Sequence, residues 1–389
     1  MTHVHASATQ PVAGLFAGIG GFERGFDKAG GFSVKYLCES WPAALCVLEH
    51  RFPGVSLRRD IRRVRRLPDV AVVLAGFPCT DLSQVGRAAG ISGDESGLIF
   101  KALDLVQVTQ PQWVVLENVP NLIHLHSGTG LARVLERLEA AGYDWAYRVI
   151  DSEALDVPQR RRRVYIVAAR TADPAAVLFR DDVPSAPGEV RRDDAFGFYW
   201  TEGNRGLGWA VDAVPPLKGG SKLRVPSPPA VWLPHAELGQ RIVRPSIEAA
   251  EILQGFEPGW TLAAEGRDRW KLAGNAVTVP VAQWIAEGIQ SAGSHEWEVD
   301  RFDCAPLDNS RRWPRAAYRA GDKRWSVAVG EWPRALRTHH LRPMLEQYGC
   351  EPLSRRAAQG FRDRLAKSRL KYDRRFMEDL DEHIRCGQP

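Results

Sequence analysis

The segment LAGFPCTDLSQVGRAAG, residues 74–90, ends an apolar run with a cysteine directly behind a proline. Pro78 fixes the backbone ahead of Cys79, and Thr80, Asp81 and Ser83 follow with polar groups. Gly86, Arg87 and Gly90 then describe a loop that carries a cation. A cysteine so placed is either a buried structural thiol or a nucleophile, because neighbouring positive charge favours the thiolate. Glu117 closes a second apolar run, WVVLEN. It is either a satisfied strand-end carboxylate or an acid whose pKa burial has raised. Gln159 and the run Arg160-Arg161-Arg162-Arg163 precede VYIVAA and make either a solvated charge run or an anion clamp. Strand alternation sends Arg161 and Arg163 to one face and Arg160 and Arg162 to the other.

A glycine loop, LFAGIGGFERGF, leads from an apolar run into a helical pattern. Gly18, Gly20 and Gly21 permit positive φ and a close approach of ligand to backbone. Glu39 follows about twenty residues on, the usual place for a carboxylate that holds a ribose diol. Glu23 stands where a dinucleotide fingerprint has its third glycine. An acidic side chain there would repel a pyrophosphate, which disfavours a nicotinamide cofactor. A cationic or zwitterionic nucleoside such as S-adenosylmethionine fits better.

These residues need a scaffold, and the chain up to about residue 170 supplies one. Strand-length apolar runs cover Val12–Gly18, Phe32–Glu39, Val70–Gly76, Trp113–Asn118, Trp145–Asp151 and Val164–Ala169. Helical patterns lie between them near 20–29, 41–51, 97–109 and 130–141; in the last, Leu131, Val134, Leu135 and Leu138 form one stripe. Such alternation predicts an α/β fold with a doubly wound, mostly parallel sheet. Ligands of these sheets sit at the carboxyl ends of the strands, which is where Cys79 and Glu117 fall. Residues 171 to about 240 are rich in Pro and Gly without a long periodic element, and predict a small loop-rich insert. Helical signals return at PSIEAAEILQGF, with Ser246 as N-cap, and after LAGNAVTVP.

Composition bounds the rest. At 389 residues the chain is long enough for two or three domains. No apolar stretch approaches the ~20 residues that span a bilayer, and the start lacks the basic and apolar regions of a secretion signal. The six cysteines (Cys38, Cys46, Cys79, Cys304, Cys350 and Cys386) form no Cys-x-x-Cys pair, so neither a zinc site nor a disulfide framework is expected. That usage suits a reduced, cytoplasmic protein. The pairs His3/His5, His124/His126 and His339/His340 lack partners at metal-ligand spacing and read as solvated loop residues. The net charge of +5 is uneven: residues 301–389 carry +8 and the first 300 carry −3. Only nine of the 52 cations are lysine, which suits bidentate phosphate contact or reflects a coding bias.

In order, FAGIGG, Glu39, Asp60, GFPCTDLS, ENV, QRRRR, EAAEILQGF and GNAV resemble the DNA (cytosine-5)-methyltransferase family over residues 12 to about 290. The resemblance implies the Rossmann-like fold of S-adenosylmethionine-dependent methyltransferases, with Phe16, Gly18, Gly20, Glu39, Trp41, Asp60, Pro78, Leu98, Asn275 and Val277 lining the cofactor pocket. Glu39 would hold the ribose hydroxyls and Asp60 the adenine edge. Cys79 would be the nucleophile, Glu117 the acid, and Arg161 and Arg163 supporting cations. Ser83 and Arg87 would contact the DNA backbone.

The implied reaction is methylation of carbon 5 of a cytosine flipped out of a short duplex DNA target, with tRNA as the alternative substrate. A bacterial restriction–modification setting leaves room for a cognate endonuclease; the oligomeric state stays open. The implied domains are 10–170 completed by 265–291 for catalysis and 171–264 (core about 171–240) for target recognition. A basic, mostly helical extension over 292–389 would add DNA contact, dimerisation or core cover. Insert cations (Arg191, Arg192, Arg205, Lys218, Lys222, Arg224) and aromatics (Tyr199, Trp200, Trp209, Trp232) suit phosphate contact and groove insertion. Two positions depart from the commonest nucleophile motif: Thr80 in place of glutamine and Leu82 in place of phenylalanine.

Overall fold

The apolar runs form strands β1 (Gln10–Leu15), β2 (Phe32–Cys38), β4 (Val72–Gly76), β5 (Trp113–Asn118), β6 (Asp144–Asp151) and β7 (Arg162–Ala169), with a short β3 (Ser56–Arg58) besides. The structure, a computed structural model, describes residues 9–78, 97–183, 194–200, 207–218, 229–292, 303–307, 312–368 and 370–386. Cys79, Ser83 and Arg87 lie outside these residues, as do Arg191, Arg192, Arg205, Lys222 and Arg224. The chain divides into two units. One comprises Met1–Ala154, Arg162–Ser185 and Ala276–Ala335; the other comprises Leu155–Arg161, Ala186–Asn275 and Leu336–Pro389.

In the first unit β3, β2, β1, β4 and β5 lie side by side and parallel. The chain winds from β1 outward through β2 and β3, then returns to the other side of β1 for β4 and β5. That reversal opens a crevice at the carboxyl ends of β1 and β4. Helices α1 (Gly21–Ala29), α2 (Pro42–Arg51), α3 (Leu98–Thr109) and α4 (Thr129–Ala140) join these strands. Strands covered on both faces have no polar side to show, which is why β4 and β5 read as plain apolar runs. In α4 the expected stripe of Leu131, Val134, Leu135 and Leu138 is buried.

The doubly wound reading holds for β1 to β5. Past β5 the pairing turns antiparallel, because β7 runs between β5 and β6 and pairs with both in the opposite sense. The region from 292 onward is shared between the units. Its strands β12 (Cys304–Pro306), β13 (Ala316–Ala320) and β14 (Lys323–Val327) extend the large sheet outward from β6. The remainder adds helices and one strand to the second unit.

The second unit adds a sheet to the loop-rich insert expected over residues 171 to about 240. Strands β8 (Phe196–Trp200), β9 (Leu207–Val211), β10 (Ala230–Trp232), β11 (Ile242–Pro245) and β15 (Cys350–Pro352) form an antiparallel sheet in the order β15-β11-β10-β8-β9. Each is five residues or shorter, too short to show a period of two. Two late helices, α10 (Arg355–Lys367) and α11 (Arg374–Cys386), bury Phe361, Leu365, Phe376 and Leu380 against it. Trp232 belongs to this core and Trp209 packs against it, the scaffold role that the sequence reading allowed these aromatics. Their rings lie 5.2 and 5.3 Å from that of Phe376, and Trp232 Nε1 donates to Asp379 at 2.8 Å. Tyr199 is covered by the Lys218 ammonium, 4.5 Å from its ring centre.

His339 and His340 lie in a loop as expected, His339 exposed, and each meets a carboxylate. His339 Nδ1 is 2.8 Å from Asp156, and His340 Nδ1 is 2.6 Å from Asp212. Asp156 also accepts from the His339 backbone, and Asp212 from that of Leu341, the first residue of α9 (Leu341–Tyr348). Burial of Phe376 should therefore hold the late helices to the sheet. Phe376→Ala is expected to lower unfolding stability in urea by about 3–5 kcal/mol; a loss below about 1 kcal/mol would show that these helices are not part of the core.

Candidate active site

The loop from Phe16 to Gly20 joins β1 to α1 at the crevice. Phe16, Gly18 and Gly20 all have positive φ, at 53°, 57° and 85°. At Gly18 no atom lies within 4 Å of where a side chain would begin, so its backbone faces open space. At Gly20 that space is filled by the Phe52 ring. Of the two, Gly18 is thus the one open to a ligand, while Gly20 serves the turn and the packing.

Glu39, one residue past β2, fixes this loop. Its Oε2 accepts from Gly18 N–H at 2.8 Å, and its Oε1 accepts from Ser40 and Trp41 N–H at 2.7 and 2.8 Å. Asp60 caps a 3-10 turn, Ile61–Arg63, through Arg62 N–H at 3.0 Å. The Arg62 guanidinium also grips both Asp60 oxygens, at 2.9 and 3.0 Å, and these hydrogen bonds hold the carboxyl below its usual range. Sequence reasoning missed Arg62; its position two residues after a capping aspartate was the available signal. Burial pushes the Cys38 thiol up to about 12, with Glu39 and Asp60 adding their negative charge. Glu39 and Asp60 thus bring negative charge beside Cys38 at the end of β2, that of Asp60 offset by Arg62.

Glu23 corrects the expected role of its position. Its side chain does not face the loop's open side but is buried at 1 % exposure, with Oε1 filling the place a side chain on Gly14 would take. Burial raises its pKa to about 8; a hydrogen bond with its own backbone opposes the rise and the charge of Glu39 adds to it.

At the next strands, Glu117 is 9 % exposed and pairs in register with Gly76 of β4. Its Oε1 meets Arg163 Nε at 3.0 Å. Its Oε2 is 3.7 Å from where a side chain on Gly76 would begin. Asn118 Nδ2 donates to the Phe77 carbonyl at 2.9 Å, while its Oδ1 accepts from Val119 N–H. That ties the end of β5 to the residue just ahead of Pro78. Nothing in the sequence reading singled out this positioning contact. Leu98 begins α3, and the Val277 carbonyl abuts Gly21 of α1.

The alternation expected in the arginine run is present: Arg161 is buried, Arg163 is 15 % exposed at its side chain, and Arg160 and Arg162 face outward. Arg162 pairs with Glu331 at 2.7 Å. In the second unit, Arg161 donates to the carbonyls of Leu217 and Gly274 at 3.2 and 3.1 Å. Gln159 beside it donates to the Leu253 carbonyl and accepts from Leu217 N–H, both at 2.8 Å. Gln254, at the end of α6 (Ile247–Leu253), donates to the Ala273 carbonyl of α7 (Gly266–Asn275) at 2.8 Å. Buried Glu251 accepts from Thr261 N–H at 2.8 Å and Arg269 at 3.1 Å. The polar residues of EAAEILQGF therefore brace backbone. Asn275 closes α7 and is exposed.

The fold is that of methyltransferases. It superposes with TM-score 0.54 on S. pombe Dnmt2 methyltransferase, at 14% identity, covering 74% of this chain and 100% of that one. The Entamoeba histolytica methyltransferase EhMeth gives 0.53 at 13% identity, covering 74% and 99%. Residues 11–189 match the model of the C-5 cytosine-specific DNA methylase family. Type II methyltransferase M2.BsuMI of Bacillus subtilis (strain 168) is 39% identical over 388 residues, 95% of this chain and 97% of the relative. Type II methyltransferase M.Bsp6I of Bacillus sp. (strain RFL6) is 36% identical over 166 residues, 42% of this chain and 53% of the relative. The chain belongs to the C-5 cytosine-specific DNA methylase family.

The buried Glu23 carboxyl makes a pH prediction. Its pKa lies at the ordinary 4.5 when unfolded and about 8 when folded, so the folded state holds more protons between those values. Stability should fall as pH rises through that window and be level below it. Glu23→Gln removes the titration, and its stability relative to wild type should rise by on the order of 3 kcal/mol from pH 5 to pH 8. Urea unfolding at both pH values measures it; parallel profiles would refute the assignment.

Proposed function

We propose that this protein transfers a methyl group from S-adenosylmethionine to carbon 5 of a cytosine flipped out of a short duplex DNA target, as the modification enzyme of a type II restriction–modification system. The observation that carries the reading is the register of Gly76 with Glu117. Gly76 lies three residues before Cys79, so the chain approaches its proposed nucleophile from beside the proposed acid. The extent of the likeness to M2.BsuMI supports the restriction–modification setting.

The residues at β1 and β2 fit the cofactor. Glu39 uses three of a carboxylate's roughly four acceptor sites on backbone, leaving one for a ribose hydroxyl. The open backbone at Gly18 and the Glu39 carboxylate beside it suit a cationic nucleoside. Asp60 and Trp41 would meet the adenosine, with Phe16, Pro78, Leu98, Asn275 and Val277 completing the wall. S-adenosylmethionine, when bound, supplies an electrophilic methyl group.

Carbon 5 of cytosine is a weak nucleophile until the Cys79 thiolate adds to carbon 6. Glu117 supports that addition with a proton or hydrogen bond at ring nitrogen 3, and Arg163 holds its carboxyl in place. Carbon 5 of the resulting enamine can then be alkylated. Loss of the carbon 5 proton and expulsion of the Cys79 sulfur restore the ring. These groups cannot reach a stacked base, so the nucleotide must leave the helix at a cost of about a few kcal/mol. Arg161, Ser83 and Arg87 are assigned supporting contacts, the last two to the DNA backbone.

Cys79→Ser is expected to lower turnover by about a thousandfold or more while S-adenosylmethionine binding persists. Duplex DNA bearing 5-fluorocytosine should trap wild-type protein covalently and not the variant. Methylation by Cys79→Ser at the wild-type rate would overturn the reading, and methyl transfer to tRNA but not to duplex DNA would replace its substrate.

A further inference from the structure

Between β3 and β4 the chain reads RRDIRRVRR, residues 58–66, six arginines against one aspartate. The stretch carries +5, whereas the first 300 residues together sum to −3. Its apolar residues recur every third position, and Ile61, Val64 and Leu67 are buried at 5 %, 6 % and 3 % exposure in the main core of the first unit. The pairs between them, Arg62/Arg63 and Arg65/Arg66, are exposed. The rivets fix the backbone, so successive arginine pairs are presented outward from an anchored segment.

Local carboxylates neutralise only part of this charge. Asp60 is gripped by Arg62, with Arg63 at 3.9 Å. Arg59 reaches Glu49 at 3.4 Å with both side chains more than half exposed, a pair of little energetic weight. Among the described residues, neither Arg65 nor Arg66 is paired with a carboxylate. Burial does not require these arginines either, since Val64 and Leu67 supply the packing. An anchored row of planar guanidiniums, only partly neutralised, suits a regular polyanion, whose phosphate oxygens a guanidinium can meet two at a time.

We propose that Arg59, Arg63, Arg65 and Arg66 form a sequence-independent contact surface for the phosphate backbone of duplex DNA. The proposal rests on the DNA reading above and adds an electrostatic surface on the catalytic unit itself, outside the insert and the nucleophile loop. Arg62 is left to Asp60.

The test compares full-length wild type with the triple variant Arg59→Ala/Arg65→Ala/Arg66→Ala. Binding to a duplex of arbitrary sequence is followed between about 50 and 200 mM salt. Each lost phosphate contact lowers the slope of log affinity against log salt by about 0.9, so the triple variant should lose about 2 to 3 from that slope. S-adenosylmethionine affinity should not change. The lysine version, Arg59→Lys/Arg65→Lys/Arg66→Lys, should keep the wild-type slope. If the alanine triple fails to fold, Arg66→Ala alone should lose about 1. An unchanged slope in a variant that still binds the cofactor overturns the proposal, as does weakened binding confined to tRNA or anionic vesicles. A wild type that shows no salt-dependent binding to duplex DNA would instead count against the substrate reading.

Discussion

The Glu39 carboxylate holds three backbone N–H groups from two loops, one after β1 and one after β2. Those loops come from neighbouring parallel strands. The left-handed conformation at Phe16, unlike that at Gly18, is not one a bulky residue adopts without support. The carboxylate supplies that support and leaves the outer side of Gly18 open. The loop ahead of α1 and the Trp41 N-cap of α2 are held by this one set of hydrogen bonds.

The same device recurs along the carboxyl edge. Arg62 holds Asp60, Arg163 meets Glu117, and Asn118 binds the Phe77 carbonyl. Asp60 and Glu117 thus each have a neighbour that restricts rotation, so less ordering of these two is left for the moment of binding. In the second unit the pattern is turned inward: Gln159, Gln254 and Glu251 satisfy buried backbone groups. Leaving such a group unmet costs about 1–3 kcal/mol, which accounts for polar residues within otherwise apolar motifs.

The first half of the fold was legible because its strands are covered on both faces and its helices carry one apolar stripe. The boundaries of β2 and β5 and the stripe of α4 could be read directly. The arginine alternation was legible too, since a period of two survives in a strand of any composition. The second sheet was not, because strands such as Ala230–Trp232 are too short for a pattern. Their burial comes from Phe361 and Phe376, more than a hundred residues later in the chain. The sequence could not assign Trp209 and Trp232 between groove and scaffold because nearby cations were visible and their neighbours in the fold were not. For Glu23, no sequence pattern reveals that its side chain turns into the space Gly14 vacates.

The antiparallel sheet of the second unit is begun by β8 and completed by elements that follow about 150 to 180 residues later, β15 and α11. A nascent chain emerging from the ribosome must therefore carry Phe198, Trp209 and Trp232 unshielded until α11 has been synthesised. Domains fold as units once all of their chain is available. Translation that stops short of α11 would leave this unit without its cover while the segments of the other unit, up to Ala335, are already complete.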